Sequence, residues 1–155
     1  MVVNYVNPII DSFKNIFPQF GITEIEPKEL IVRENKIESL GVVIIIGLIG
    51  DIKGNIIYTL NIENAKKIAS IMMMGMPIEN FDDLAQSAIS ELVNMLTANV
   101  ATNFSSDNIT VDISTPTLIH GNFTANATCG KIVCLPIKVN DIDIEVNISL
   151  EKNTI

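Results

Sequence analysis

Arginine is almost missing from this chain. Arg33 is the single guanidinium in 155 residues, and 10 basic against 18 acidic side chains leave a formal net charge of −8. Phosphate-backbone recognition needs clustered lysine and arginine, so nucleic acid is excluded as an expected partner. Histidine is as scarce. His120 stands alone between two candidate strands with no nucleophile in view, and is read as structural rather than as a general base. The two cysteines, Cys129 and Cys134, lack CxxC spacing and make a poor zinc set with one histidine; both read as ordinary strand residues. No apolar run is long enough to cross a bilayer, Val42 to Ile49 included. The start, Met1-Val-Val-Asn-Tyr5-Val-Asn-Pro8, has no basic segment leading into an apolar block, so the expectation is a soluble cytoplasmic protein with no membrane partner.

What is present is a large apolar content, 48% of residues, in a chain of a length suited to one compact domain over residues 1–155. Ile9, Ile10, Phe13, Ile16 and Phe17 fall at helical spacing, which predicts a first helix from about Pro8 to Phe17 closed by Pro18. Strands are expected at Glu29 to Arg33, Leu40 to Ile49 and Asn55 to Leu60, the last two forming a hairpin through Gly50 to Gly54. The unbroken β-branched run of the middle strand implies burial on both faces and a central place in the sheet. Asn61 can cap a second helix from Ile62 to about Met74, ended by Gly75 and Pro77, in which Met72, Met73 and Met74 read as core filler. Asn80 or Asp82 opens a long helix running to Phe104. A strand over Ile109 to Ser114, an interruption at Pro116, and a hairpin of Lys131 to Val139 with Ile142 to Leu150 complete the chain. The last strand alternates without a break, which predicts one face on the core and Asp143, Glu145, Asn147, Ser149 and Glu151 facing water or a partner, along an edge a second subunit could cover.

The long helix carries the most informative pattern. Ala85, Ile89, Leu92, Val93, Leu96, Val100 and Phe104 share about a third of its circumference and form the core stripe. Opposite them lie Ser87, Glu91 and Asn94; the carboxylate and the amide sit about 60° apart around the axis and roughly 4.5 Å apart along it. Ala98 and Ala101 continue that edge with side chains too small to cover Asn94, leaving room for another molecule's surface. Exposed Glu and Asn are ordinary in themselves.

A weak internal duplication accompanies it. At an offset of 87, Ile22-Thr23 lies on Ile109-Thr110, Asn7 on Asn94 and Asn4 on Glu91, so the first half keeps the amide and loses the carboxylate.

Ser87-x3-Glu91-x2-Asn94-x21-Pro116 resembles the signature of the CheC/CheX/FliY family of chemotaxis phosphatases, and the single complete copy is closest to the CheX branch. The resemblance implies an α/β (α+β) fold, a mixed sheet packed against two long helices. It also implies hydrolysis of the aspartyl phosphate on a CheY-like response-regulator receiver domain, ending a chemotaxis signal. Asn94 would then hold the attacking water and Glu91 would pair with the regulator's active-site lysine; Ser87 and Pro116 would support the helix face, and Ala98 and Ala101 would line the docking surface. No cofactor is expected on this chain, since the receiver supplies its own Mg²⁺, and a homodimer is expected. The alternative is a non-catalytic dimeric module that binds a signalling or flagellar-switch partner. A stand-alone phosphatase for small acyl phosphates is disfavoured, because the chain offers neither an arginine cluster nor a glycine-rich cradle.

Overall fold

The computed structural model describes residues 4–126 and 131–154. Cys129 lies outside them. The chain opens with helix α1 (Val6–Ile16), started two residues before the expected Pro8 because the Asn4 side chain accepts hydrogen bonds from the backbone amides of Val6 and Asn7. Pro18 does not stop the helix outright. It begins a tighter 3-10 turn, Phe17–Phe20, which ends at Gly21 in the left-handed region, φ +81°.

Short strands β1 (Ile25–Pro27), β2 (Ile31–Arg33) and β3 (Lys36–Glu38) lead into the long hairpin β4 (Val42–Gly50) and β5 (Ile52–Leu60). Asn61 caps α2 (Ile62–Met72) by accepting from the Asn64 amide at 2.7 Å. α3 (Asp83–Ser106) is the longest element, at 24 residues. Then come β6 (Val111–Ile113), β7 (Thr117–His120), β8 (Thr124–Asn126) and the closing hairpin β9 (Ile132–Val139) and β10 (Ile142–Lys152).

An eight-stranded sheet runs β1-β9-β10-β5-β4-β6, with β2 also on β9 and β7 also on β4, and every described pairing is antiparallel. The class is therefore α+β as expected, with an antiparallel sheet and three helices, of which α3 alone is long. β4 is buried on both faces, yet it stands second from an edge; β10 and β5 occupy the middle. One face carries Val42, Ile44, Ile46, Ile56, Tyr58, Val146 and Ile148 into the main core beneath the helices. On the other, Val43, Ile57 and Ile132 pack against Ile37, Phe123 and Ala125 of a small two-stranded sheet, β3-β8, and its flank.

That second layer corrects two expectations. β10 is interior rather than an edge, and its polar face is not open along its length: Asn147 and Ser149 are buried, because the sheet is covered on this side too. Asn147 donates to the Ile57 carbonyl at 3.2 Å. The methionines diverge as well. Met72 and Met73 are half-buried, whereas Met74 is 97% exposed, since the chain leaves α2 through Met74 and Gly75 at φ +59° and +85° and turns away from the core there. Among the described residues, no helix is long and apolar enough to cross a membrane.

Candidate functional site

α3 starts cleanly because the Asp82 carboxylate accepts from the Ala85 amide at 2.9 Å and Gln86 donates to the Phe81 carbonyl at 3.0 Å. The anticipated stripe, Ala85 through Phe104, is buried at all seven positions, with Thr97 added to it. Burying that stripe fixes the rotation of the helix and so decides what faces outward. Ser87, Glu91 and Ala98 are exposed, and Asn94 and Ala101 are half-buried along the same edge.

The polar groups of α3 divide into two sets. Asn99 accepts from Asn15 at 3.0 Å and from Asn103 at 3.3 Å, and Asn103 donates to the Pro8 carbonyl at 2.9 Å, so these amides tie α3 to α1. Glu91 and Asn94 take part in no side-chain hydrogen bond or ion pair among the described residues. α3 contains Asp83 and Glu91 and no lysine or arginine, so this face suits a cation brought by another molecule.

Under the turn that carries Glu91 and Asn94 lies a buried polar chain that the sequence did not reveal. The Thr97 hydroxyl is 2.8 Å from the Val93 carbonyl and 2.9 Å from the Tyr58 hydroxyl on β5. Thr97 has one hydroxyl proton and gives it to Val93, so Tyr58 must be the donor to Thr97. Burial pushes the Tyr58 hydroxyl well above the usual phenol range and keeps that proton in place. A threonine on the apolar stripe was the available signal, but its partner is 39 residues away in sequence.

Pro116 is half-buried at a break in register. Ile113 pairs with Leu48 and Thr117 with Ile45, so three residues, 114–116, face two, 46–47, which makes a bulge. Ser114 closes it: its hydroxyl accepts from the Gly47 amide at 2.8 Å and donates to the Thr115 carbonyl at 3.1 Å. Proline lacks an N–H for the ladder, so this is a position it can hold. β6 and β7, on either side of the bulge, both lie against α3.

His120 ends β7 exposed, edge-on to Phe81 with ring centroids 6.2 Å apart, consistent with a structural role. No three His, Cys, Asp or Glu side chains among the described residues converge as a metal-binding group. A cavity of about 660 Å³ bordered by Phe20, Ile71, Met74 and Ile142 includes no α3 residue. Ser87, Glu91 and Asn94 thus lie on an open helix face, a geometry suited to a macromolecular partner better than to a small substrate.

Comparison with known proteins points to one family. Residues 42–140 match the family model described as chemotaxis phosphatase CheX. The CheY-P phosphatase CheX of Thermotoga maritima is 34% identical over 153 residues, covering 97% of this chain and 98% of that protein. The crystal structure of chemotaxis protein CheX from Vibrio vulnificus superposes with a TM-score of 0.82 at 21% identity, over 96% of this chain and all of that one. The CheX-CheY-BeF3-Mg²⁺ complex from Borrelia burgdorferi gives 0.76 at 24% identity, over 97% and 100%.

Proposed function

The chain belongs to the CheX family of chemotaxis phosphatases, and from that premise we propose that it dephosphorylates a CheY-like receiver domain by lending an oriented water to the receiver's own aspartyl phosphate. The observation that carries this reading is the pair Glu91 and Asn94, presented together on a small-residue helix face while the neighbouring amides of α3 are consumed internally.

An acyl phosphate already has a good leaving group. What it lacks is a nucleophile held in line. In the complex, the Asn94 carbonyl accepts a hydrogen bond from the attacking water and its NH₂ donates one toward a phosphoryl oxygen. The water oxygen bonds to phosphorus as the bond to the aspartyl oxygen breaks, giving the free carboxylate and dihydrogen phosphate; both water protons leave with the phosphate. A carboxylate in Asn94's place would repel the phosphoryl oxygens, which is why the water holder is neutral. Glu91 stands one helical turn away, where its charge pairs with the receiver's lysine and sets the docking register. Ser87, Ala98 and Ala101 form the surrounding contact, and the Pro116 bulge shapes the strands behind α3. Mg²⁺, carried by the receiver, neutralises phosphoryl charge; this chain contributes no ligand to it.

We read residues 1–155 as one cytoplasmic domain acting as a homodimer. With β10 interior, the edge we assign to dimerisation is β2 and the residue before it: Leu30, Ile31 and Val32 expose 49, 44 and 63% of their surfaces along a strand whose other flank has no partner among the described residues, an uncharged strip that a second copy covers.

The test is turnover. The protein at one-twentieth the concentration of a phosphorylated receiver from the same organism releases many equivalents of inorganic phosphate. Tight binding without turnover identifies an interaction module instead.

A further inference from the structure

Resting on the reading of α3 as the catalytic face, we propose that Tyr58 and Thr97 are positioning residues that set the rate of the chemical step from beneath the helix. Neither touches the partner. Both are buried, and their hydrogen bond joins α3 to the sheet, one turn from Asn94.

Apolar packing alone restrains α3 incompletely. Its core stripe is aliphatic apart from Phe104 and Thr97, and apolar contact is non-directional: it fixes which way the helix rolls, and tolerates small sliding along the axis. The C-terminal half has directional anchors, through Asn99 and Asn103 to α1. At its N-terminus the Asp82 and Gln86 bonds engage the adjoining loop and the helix itself, without reaching the sheet. Between these ends lie Glu91 and Asn94. There, among the described residues, the Tyr58 to Thr97 bond is the side-chain hydrogen bond from α3 to the sheet.

Its connectivity gives it leverage on the reactive turn. Tyr58 donates to Thr97, and Thr97 donates to the carbonyl of Val93, the residue immediately before Asn94. The chain of bonds therefore grips the backbone that carries the water-holding amide, at a fixed height above β5. Alignment of an in-line water is sensitive to that height; a displacement near 1 Å at a reacting centre costs on the order of a hundredfold in rate. A rigid β5, paired along its length with β4 and β10, is a suitable reference. Losing one hydroxyl shifts the turn by a fraction of that distance.

The experiment measures kcat and KM for a phosphorylated receiver with wild type, Tyr58→Phe, Thr97→Val, Thr97→Ser and, as control, Asn94→Ala, alongside urea unfolding of each. The result expected is that Tyr58→Phe and Thr97→Val lower kcat about tenfold with KM within twofold of wild type. Thr97→Ser, which restores the hydroxyl, returns kcat to near the wild-type value. A merely structural role gives less stable variants whose folded fraction keeps wild-type kcat, and that outcome overturns the inference. The two failures are distinguishable. Absence of turnover by the wild type removes the functional reading itself, whereas turnover abolished by Asn94→Ala and untouched by Tyr58→Phe removes only the role of Tyr58 and Thr97.

Discussion

Replacing Gly54 with alanine tests how firmly the hairpin under α3 is locked. Gly54 is at φ +137°, a region L side chains rarely adopt, and an added Cβ would lie 1.9 Å from the Ser149 carbonyl oxygen on β10. Real Cβ atoms essentially never approach other atoms closer than 3.0 Å, so β5 and β10 must separate by about 1.1 Å, the difference of those two distances. The backbone conformation alone costs about 1 to 3 kcal/mol. Separating the strands disrupts the Leu150 to Gly54 pairing and strands a ladder group, about 1 to 3 kcal/mol more. The sum, about 2 to 6 kcal/mol, is a large part of the stability of a typical domain, about 5 to 15 kcal/mol. Gly21→Ala is the internal control. Gly21 is also at positive φ, +81°, but nothing lies within 4 Å of its added Cβ, so its cost is the conformational one alone, about 1 kcal/mol. Urea unfolding followed by circular dichroism, both variants side by side, reads the difference; equal and small losses for the two would refute the close-approach argument.

Other expectations concern docking, assembly and the buried thiol. Glu91→Ala raises the Kd for a phosphorylated receiver by roughly thirtyfold, about 2 kcal/mol, and flattens its salt dependence, as a titration over ionic strength would measure. The proposed dimer contact predicts a dimeric wild type and a monomeric Val32→Lys in sedimentation equilibrium, since the substitution puts a charge on the exposed β2 edge; a Val32→Lys protein that is still dimeric rules out that edge, and a monomeric wild type rules out the dimer. Burial, followed by the nearby Glu145 charge, pushes the Cys134 thiol up to about 11, so in a Cys129→Ser background iodoacetamide at pH 8 leaves folded protein unlabelled and labels it fully in urea. Because the fold favours the protonated thiol, this contribution to stability is complete below the unfolded thiol's pKa, near 8.5, and is lost as pH rises toward 11.

Local rules made α3 legible in the sequence. Seven apolar positions at helical spacing have one solution for rotation, and that solution turns Ser87, Glu91 and Asn94 outward together. Asn61 and the Asn140-Asp141 turn were legible for the same reason, since cap and turn chemistry act over a few residues. Long-range packing was not. Perfect alternation in β10 reads as one dry face and one wet face, and nothing nearby announces that β3 and β8, drawn from distant parts of the chain, cover the second face and bury Asn147. Pro116 showed as an interruption, but the bulge depends on which residues of β4 it faces. Met74 misled because helical spacing continues past the point where positive φ ends α2. The Tyr58 to Thr97 bond belongs with these: each residue is unremarkable alone, and only the fold brings them together.

The central claim is that this chain brings half of an active site completed by its substrate, with Asn94 holding the water. The most direct measurement is phosphate release from a phosphorylated receiver by wild type and Asn94→Ala, with complex formation measured on the same samples. The claim predicts that Asn94→Ala retains binding and loses turnover by two orders of magnitude or more, on the order of an oriented catalytic group's contribution. An Asn94→Ala protein that binds and turns over like wild type would contradict it.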